Sequence, residues 1–261
     1  MPDFWEQQIA RADYLAGKPG GSGELLGFYG KLLRAQQEIY RQLCDRDWVP
    51  AGDLQSDIPK IRSVMSGLLE VVGLHGPPPL ASEAQLLLNA ESEVIEQTLI
   101  DSWRVSSDVQ FFAKAILQPY GYWLVESGKK VTHRELPGGD RTCPRCGGDP
   151  QVSFLQSKES NAESGNRDLL CATCLHSWEF RRVVCAYCGE ERPTKLGYFH
   201  SPEFDHIRIE ACDSCKQYIK GVDLTRNGLA APLVDEIYSA PLDLWARKHG
   251  YTKIELNLIG V

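Results

Sequence analysis

The chain has 261 residues, 43% of them hydrophobic, a net charge of −7 and a pI of about 5.4. That length suits one large or two modest domains with real cores, and the acidic balance argues against bulk binding of duplex nucleic acid, which leans on Lys and Arg at phosphates. No run approaches the ~18 apolar residues of a membrane span, and "MPDFWEQQIARADYLAG" lacks the basic and apolar regions of a signal peptide, so a soluble, cytoplasmic protein is expected.

The first part of the chain reads as helical. Over 24–43, Leu25, Phe28, Tyr29, Leu32, Leu33, Gln36, Ile39, Tyr40 and Leu43 recur at steps of three and four. Over 58–72, Ile58, Ile61, Val64, Met65, Leu68, Leu69 and Val72 repeat the pattern, with Asp57 as the expected cap and Pro59 in the first turn. "GPPPL" at 76–80 ends that element and starts another. Segments 82–103 and 107–118 are expected to be two more helices, the second carrying Val109, Phe112, Ala113, Ile116 and Leu117. These apolar stripes are read as the core of a bundle-like domain. Gly20 to Gly23 is read as a linker, since it lacks the Lys and Ser/Thr of a phosphate-binding loop. Cys44 is expected to be packed near a helix end. "LPGGD" at 136–140 is a turn-rich hinge. In the tail, 241–249 reads as a last helix, with Pro241 near its start, Gly250 beyond its end, and Leu242, Trp245 and Ala246 on one apolar face.

Cysteine placement divides the chain. One cysteine falls in the first 140 residues and eight fall between 143 and 215. Those eight form four CxxC pairs: Cys143 and Cys146, Cys171 and Cys174, Cys185 and Cys188, Cys212 and Cys215. The intervals between pairs are 24, 10 and 23 residues, so 143 maps onto 185 and 171 onto 212 as an internal repeat. A CxxC knuckle aims two thiolates at one ion, and two knuckles complete a tetrahedron of four sulfurs. The repeat pairs 143/146 with 171/174 and 185/188 with 212/215. Gly147 and Gly189 permit the tight backbone after the second cysteine. In a reducing compartment such pairs read as metal ligands before disulfides. A thioredoxin-type dithiol needs only one pair, and iron–sulfur clusters expect other spacings. The ion can be zinc or iron, because sulfur tetrahedra suit both.

Around the cysteines, Trp178 and Phe180 alternate with Ser177 and Glu179, as on one buried face of a strand. Residues 141–221 hold 11 Lys and Arg against 11 Asp and Glu. Eight thiolates around two divalent ions leave a further −4, which favours protein contact over phosphate contact. Arg181 and Arg182 are read as a solvated pair. His133, His176, His200 and His206 are read as hydrogen-bonding or solvent-facing groups, and no catalytic constellation is present, so the chain is not read as an enzyme.

The ordered set "CPRCGGDP", "LLCATCLHSWEFRRVVCAYCGE", "RIEACDSCKQYIK" and "PLDLWARKHGYTKIELNLIG" resembles the formate dehydrogenase accessory protein FdhE family, densely over 141–261 and more loosely before it. The resemblance implies a cytoplasmic, non-enzymatic factor required for active respiratory formate dehydrogenases. It implies binding of the molybdenum- or tungsten-containing catalytic subunit before export, and it places iron among the candidate metals. The expected fold is α+β. An all-helical domain over 1–135 precedes two tandem rubredoxin-like, or zinc-ribbon-like, four-cysteine domains over 141–180 and 181–222, and a helical tail covers 223–261. The metal ligands would be Cys143, Cys146, Cys171, Cys174, Cys185, Cys188, Cys212 and Cys215, with no nucleic-acid partner and no membrane insertion. The alternative reading is an iron electron-transfer protein of rubredoxin type.

Overall fold

The structure is a computed structural model describing residues 3–18, 22–45, 48–104, 110–129, 139–157 and 166–260. Gly20, Gly21, Val109, His133 and the first residues of the 136–140 hinge lie outside the described residues. The chain forms two compact units: a helical unit over 1–135, with which 173–175 also counts, and a sheet-bearing unit over 136–172 and 176–261.

The helical unit starts with α1, Phe4–Ala16, closed by a reciprocal cap in which Asp3 accepts from Glu6 N–H and Glu6 accepts from Asp3 N–H. Helix α2, Gly23–Asp45, buries Phe28, Tyr29, Leu32, Leu33, Gln36, Ile39 and Leu43 of the expected stripe; Leu25 and Tyr40 are half-buried, and Leu26 is buried in place of Leu25. Cys44 is exposed rather than packed, one step past Leu43 on the helix.

Two expected helices are each broken in two. Segment 58–72 is α3, Leu54–Arg62, followed by α4, Ser66–His75. The cap of α3 is Asp53, which accepts from Ser56 N–H at 2.8 Å, not Asp57. Asp57 lies inside the helix with a fully buried side chain, accepting from Ala51 N–H (2.9 Å), Lys60 Nζ (2.6 Å) and Tyr120 Oη (3.0 Å). Burial, reinforced by that carboxylate, pushes the Tyr120 phenol well above its ordinary pKa. Segment 82–103 is α5, Pro78–Leu88, and α6, Ser92–Arg104; α5 begins on Pro78 and stops at Asn89.

Helix α7, Phe111–Glu126, runs past the expected end at 118 and through Pro119. Proline lacks an N–H, so it leaves the carbonyl four residues back without its helical donor. That carbonyl belongs to Ala115, and the buried Gln36 of α2 supplies the missing bond, Nε2 donating to Ala115 O at 2.9 Å and to Gln118 Oε1 at 3.0 Å. One side chain thus lets the helix continue and fixes α2 against α7.

In the second unit the described strands are β1 (Pro150–Gln156), β2 (Asn166–Cys171), β3 (Ser177–Phe180), β4 (Leu196–His200), β5 (Ile207–Cys212), β6 (Gln217–Asp223) and β7 (Thr252–Lys253). They form one sheet in the order β3-β2-β1-β6-β5-β4, with β7 paired to β6. Each half is an antiparallel meander, and the halves join where β1 and β6 run parallel, Val152 opposite Lys220. The two ribbons are therefore one sheet, with the second half beside the first in the same orientation. A shared core of Leu169, Phe180, Val184, Ala186 and Ile219 crosses the seam, with Trp178 half-buried against it. Arg167 of β2 also crosses, donating to the Arg181 and Val184 carbonyls (both 3.0 Å) and to Glu210 Oε2 of β5 (2.5 Å). Burial works against a charged Glu210, but the Arg167 and Arg208 guanidinium groups hold its carboxyl below the usual range. Gly221 of β6 is glycine because a Cβ there would sit 2.5 Å from Glu210 Oε1.

The tail contains more than the expected single helix: α8, Pro232–Tyr238, then α9, Ala240–Lys248, ended by Gly250 at φ +79°. These helices carry carboxylates to a buried charge in the sheet. Lys220 of β6 donates to Asp243 Oδ2 (2.5 Å) and pairs with Glu236 Oε1 (3.0 Å), and Lys253 of β7 pairs with both acids. Tyr218 Oη and Asn257 Nδ2 complete the shell at 2.8 and 2.7 Å. Burial works against a charged Asp243, yet Lys220 and Lys253 hold it below the carboxylate range.

Substitution tests both buried polar groups. Gln36→Leu strands the Ala115 carbonyl and should destabilise the chain by about 2 kcal/mol in denaturant unfolding. Asp243→Asn leaves the buried lysines undercompensated and should cost about 3 kcal/mol near neutral pH. Because the folded pKa of Asp243 is depressed, its contribution is present above the unfolded value of about 3.9 and lost as pH falls through the folded one. The stability gap between wild type and variant, followed by thermal melts from pH 7 down to pH 3, should therefore narrow below about pH 4.

Candidate metal centres

Each CxxC pair sits where a strand meets a turn. Cys171 and Cys212 end β2 and β5, while Cys143/Cys146 and Cys185/Cys188 lie in turns that precede β1 and β4. The knuckles share a hydrogen-bond plan. Cys143 N–H donates to Gly148 O, Cys171 N–H to His176 O and Cys185 N–H to Glu190 O, each at 2.9 Å. In return Gly147, Gly189 and Lys216 donate to the carbonyls of Cys143, Cys185 and Cys212 at 2.8 to 3.0 Å. Backbone amides also reach the sulfurs: Arg145 N–H lies 3.4 Å from Cys143 Sγ, and Tyr187 N–H 3.4 Å from Cys185 Sγ.

This plan forces the residue after the second cysteine into the left-handed region. Gly147 and Gly189 adopt φ +71° and +76°. At the other two knuckles Leu175 and Lys216 take φ +57° and +60°, the only non-glycine residues with positive φ among those described. That conformation costs a side-chain-bearing residue roughly 1 kcal/mol, which the knuckle geometry outweighs. Sequence reasoning singled out the two glycines and missed Leu175 and Lys216. The available signal was positional, since both occupy the same slot as the glycines.

The turns bring the eight sulfurs together in two groups, Cys143, Cys146, Cys171 and Cys174, and Cys185, Cys188, Cys212 and Cys215, each with its sulfurs all within 4.8 Å of one another. The pairing is the one the repeat suggests. None of the eight is disulfide-bonded. The separations are 3.4 Å for Cys146–Cys171 and 3.7 Å for both Cys185–Cys215 and Cys188–Cys212. A metal bonded at about 2.3 Å to four sulfurs at the corners of a tetrahedron needs sulfur–sulfur edges of about 3.8 Å. The donor set and its spacing fit such an ion. Burial pushes the Cys185 and Cys215 thiols up, and a cation that stabilises thiolate would oppose that shift.

No histidine joins either group among the described residues. His206 is buried and bonds Asp235 Oδ1 through Nε2 at 2.7 Å, and His200 is exposed. Arg181 and Arg182 are exposed as expected, with Arg181 paired to Glu191.

The two centres differ in exposure. All four cysteines of the first are buried; in the second, Cys188 is exposed and Cys215 half-buried. The second is laced by side chains instead. Glu190 accepts from Arg192 and from Ser214 Oγ (2.6 Å), tying one knuckle to the other, and Arg192 holds its carboxyl below the usual range. Asp213 accepts from Tyr251 Oη at 3.1 Å, anchoring the second knuckle to the residues after α9.

A protein named as an FdhE homolog from Aquifex aeolicus is 37% identical over 197 residues, covering 74% of this chain and 68% of its own length. The chain belongs to the FdhE family. A second FdhE homolog, from Pseudomonas putida, is 24% identical over 298 residues, covering 98% of this chain and 87% of itself. The family model described as the FdhE C-terminal domain matches residues 183–259, which hold the second centre, α8, α9 and the buried ion cluster. The crystal structure of the FdhE protein from Pseudomonas aeruginosa shares the fold, with a TM-score of 0.71 at 21% identity over 100% of this chain and 97% of the other.

The difference in exposure makes a prediction for this FdhE-family member. A chelator in excess should draw metal from the chain in two phases, the faster from Cys185, Cys188, Cys212 and Cys215. In a metal-release time course, Cys212→Ser should abolish the fast phase and Cys171→Ser the slow one; a single phase in the wild type would refute the assignment.

Proposed function

We propose that this chain is a cytoplasmic, non-enzymatic accessory factor in formate dehydrogenase maturation, binding the catalytic subunit before export through a surface held in shape by two metal-bound four-cysteine centres. The observation that carries this reading is the pair of four-sulfur clusters in a member of the FdhE family. The ligands of the first ion are Cys143, Cys146, Cys171 and Cys174, and those of the second Cys185, Cys188, Cys212 and Cys215. Zinc or iron suits both; iron, when bound, supplies one-electron chemistry that zinc does not.

In this reading the protein's own residues do the recognising. The knuckles present short, rigid turns, and the ribbon charge balances to zero without the sulfurs, a surface suited to protein rather than phosphate. No described helix is long and apolar enough to cross a membrane. A second reading, electron transfer of rubredoxin type, draws on the exposure of Cys188 and its neighbour Tyr187, which bring the second centre to the surface.

The deciding experiment is capture of the tagged chain from its native cytoplasm without oxygen, with bound proteins identified by mass and metal counted. The expected result is a formate dehydrogenase catalytic subunit with two ions per chain, and at least tenfold less of that subunit with Cys171→Ser. Recovery of a small redox protein without the catalytic subunit would overturn the maturation role and favour the second reading.

A further inference from the structure

The sheet has two edges, and they are built differently. At one edge β3 is four residues long and carries Glu179, and Asp140 is tied to it by side chains: Trp178 Nε1 donates to Asp140 O at 2.8 Å, and Arg181 Nε lies 3.6 Å from Asp140 Oδ2. Short length, charge and a covering segment are the usual devices that stop a strand from recruiting another. At the other edge, β4 is one residue longer, carries no charged residue within the strand, and among the described residues has no strand against its outer side. Its sequence, Leu196-Gly197-Tyr198-Phe199-His200, contains no acidic residue, lysine, arginine or proline, and its register with β5 is unbroken over all five residues.

The backbone direction of β4 follows from one bond. Asp213 N–H donates to Lys195 O at 2.8 Å, so Lys195 faces β5, and alternation turns the peptide groups of Gly197 and Phe199 the same way. The N–H and C=O groups of Leu196, Tyr198 and His200 therefore point away from the sheet. Tyr198 and His200 are exposed, and among the described residues no strand pairs with that side.

The edge is also charged at its rim. Lys195 immediately precedes the strand and is exposed; Arg182 is exposed and accepts from Tyr198 Oη through its carbonyl at 3.4 Å. The Arg208 guanidinium lies 5.1 Å from the Tyr198 ring centre but is paired to Glu210, so the exposed cations of the rim are Lys195 and Arg182. On the opposite face Phe199 packs on Trp245, which stacks on the exposed His249, giving an aromatic ledge. A second copy of this chain would bring the same cations to the same edge, which disfavours self-pairing.

We propose that β4 is a docking edge for an extended, acidic segment of the client polypeptide, which adds as a further strand through the peptide groups of Leu196, Tyr198 and His200 and sets alternate apolar side chains on the Phe199–Trp245 ledge. Strand addition takes affinity from main-chain bonds and selectivity from alternate side chains. This rests on the proposed binding of a formate dehydrogenase catalytic subunit.

The test uses the full chain, metal-loaded, with the purified catalytic subunit as probe. Tyr198→Pro removes an outward N–H but no bond to β5, a position an edge strand tolerates; Tyr198→Ala keeps the N–H and removes the ring. The metal content of both variants is checked against the wild type. Binding at least tenfold weaker for Tyr198→Pro and within about threefold for Tyr198→Ala, with new hydrogen-exchange protection at 196, 198 and 200 in the complex, is the expected result. Lys195→Glu should weaken binding by threefold or more. Wild-type affinity in Tyr198→Pro without protection at β4 would overturn the docking edge and leave the maturation role intact, whereas no binding to the wild-type chain would overturn both. Protection at β4 in the chain alone, with a dimer in sedimentation that Tyr198→Pro abolishes, would overturn the client as occupant in favour of a second copy.

Discussion

Everything in the sheet-bearing unit depends on eight sulfurs confined to two small volumes. Sulfurs 3.4 to 3.7 Å apart cannot all carry charge without a cation between them, and burial opposes ionisation further. A bound ion reverses that balance, so binding free energy becomes folding free energy. The arrangement also explains the backbone. To turn both thiols inward, each knuckle closes its chain onto the first cysteine's peptide groups and accepts a left-handed residue after the second, even where that residue is Leu175 or Lys216. The two centres are not independent modules. Each ribbon alone is too short to build a stable core, and the joint core, the β1–β6 pairing and Arg167 bonded to Glu210 make them one body.

The cysteine pairing and the α+β class were legible because they rest on spacing and composition. The helices of the first unit were legible as apolar stripes, but not their breaks. Across 63–65 the apolar stripe continues, with Val64 and Met65 buried between the two helices, so periodicity alone sees one element. The true end of α7 was not legible either, because a proline stands at 119. It signals an end, and the helix continues because Gln36, distant in sequence, bonds the orphaned carbonyl. Asp57 looked like a cap and is instead a buried acceptor, since Ala51, Lys60 and Tyr120 converge on it. The joining of the ribbons was not legible, because it pairs residues 152–155 with 220–223, and nothing local records a parallel contact at that separation.

The second centre is the more accessible, and its side-chain lacing compensates for thinner cover. Glu190 with Ser214 and Asp213 with Tyr251 hold its turns from outside, while the cysteines of the first centre are all buried. Structural stiffness and solvent access are thus obtained together at one site. That combination suits a surface that must keep its shape while it meets another protein, and it distinguishes the two halves of a repeat that are nearly identical in their cysteine spacing.

The buried charge cluster sets an order of assembly during synthesis. Lys220 lies in the strand that closes the seam, while Glu236, Asp243, Lys253 and Asn257 all follow it in the chain. As the polypeptide emerges, β6 arrives with a lysine bound for the interior and no carboxylate to receive it, and burying it alone is prohibitive. The seam must stay open until α8 and α9 leave the ribosome. In that interval Leu169 and Phe180 lack their cover from Ile219, so the nascent chain passes through a stage with exposed apolar surface, and pauses in translation beyond residue 220 would prolong it.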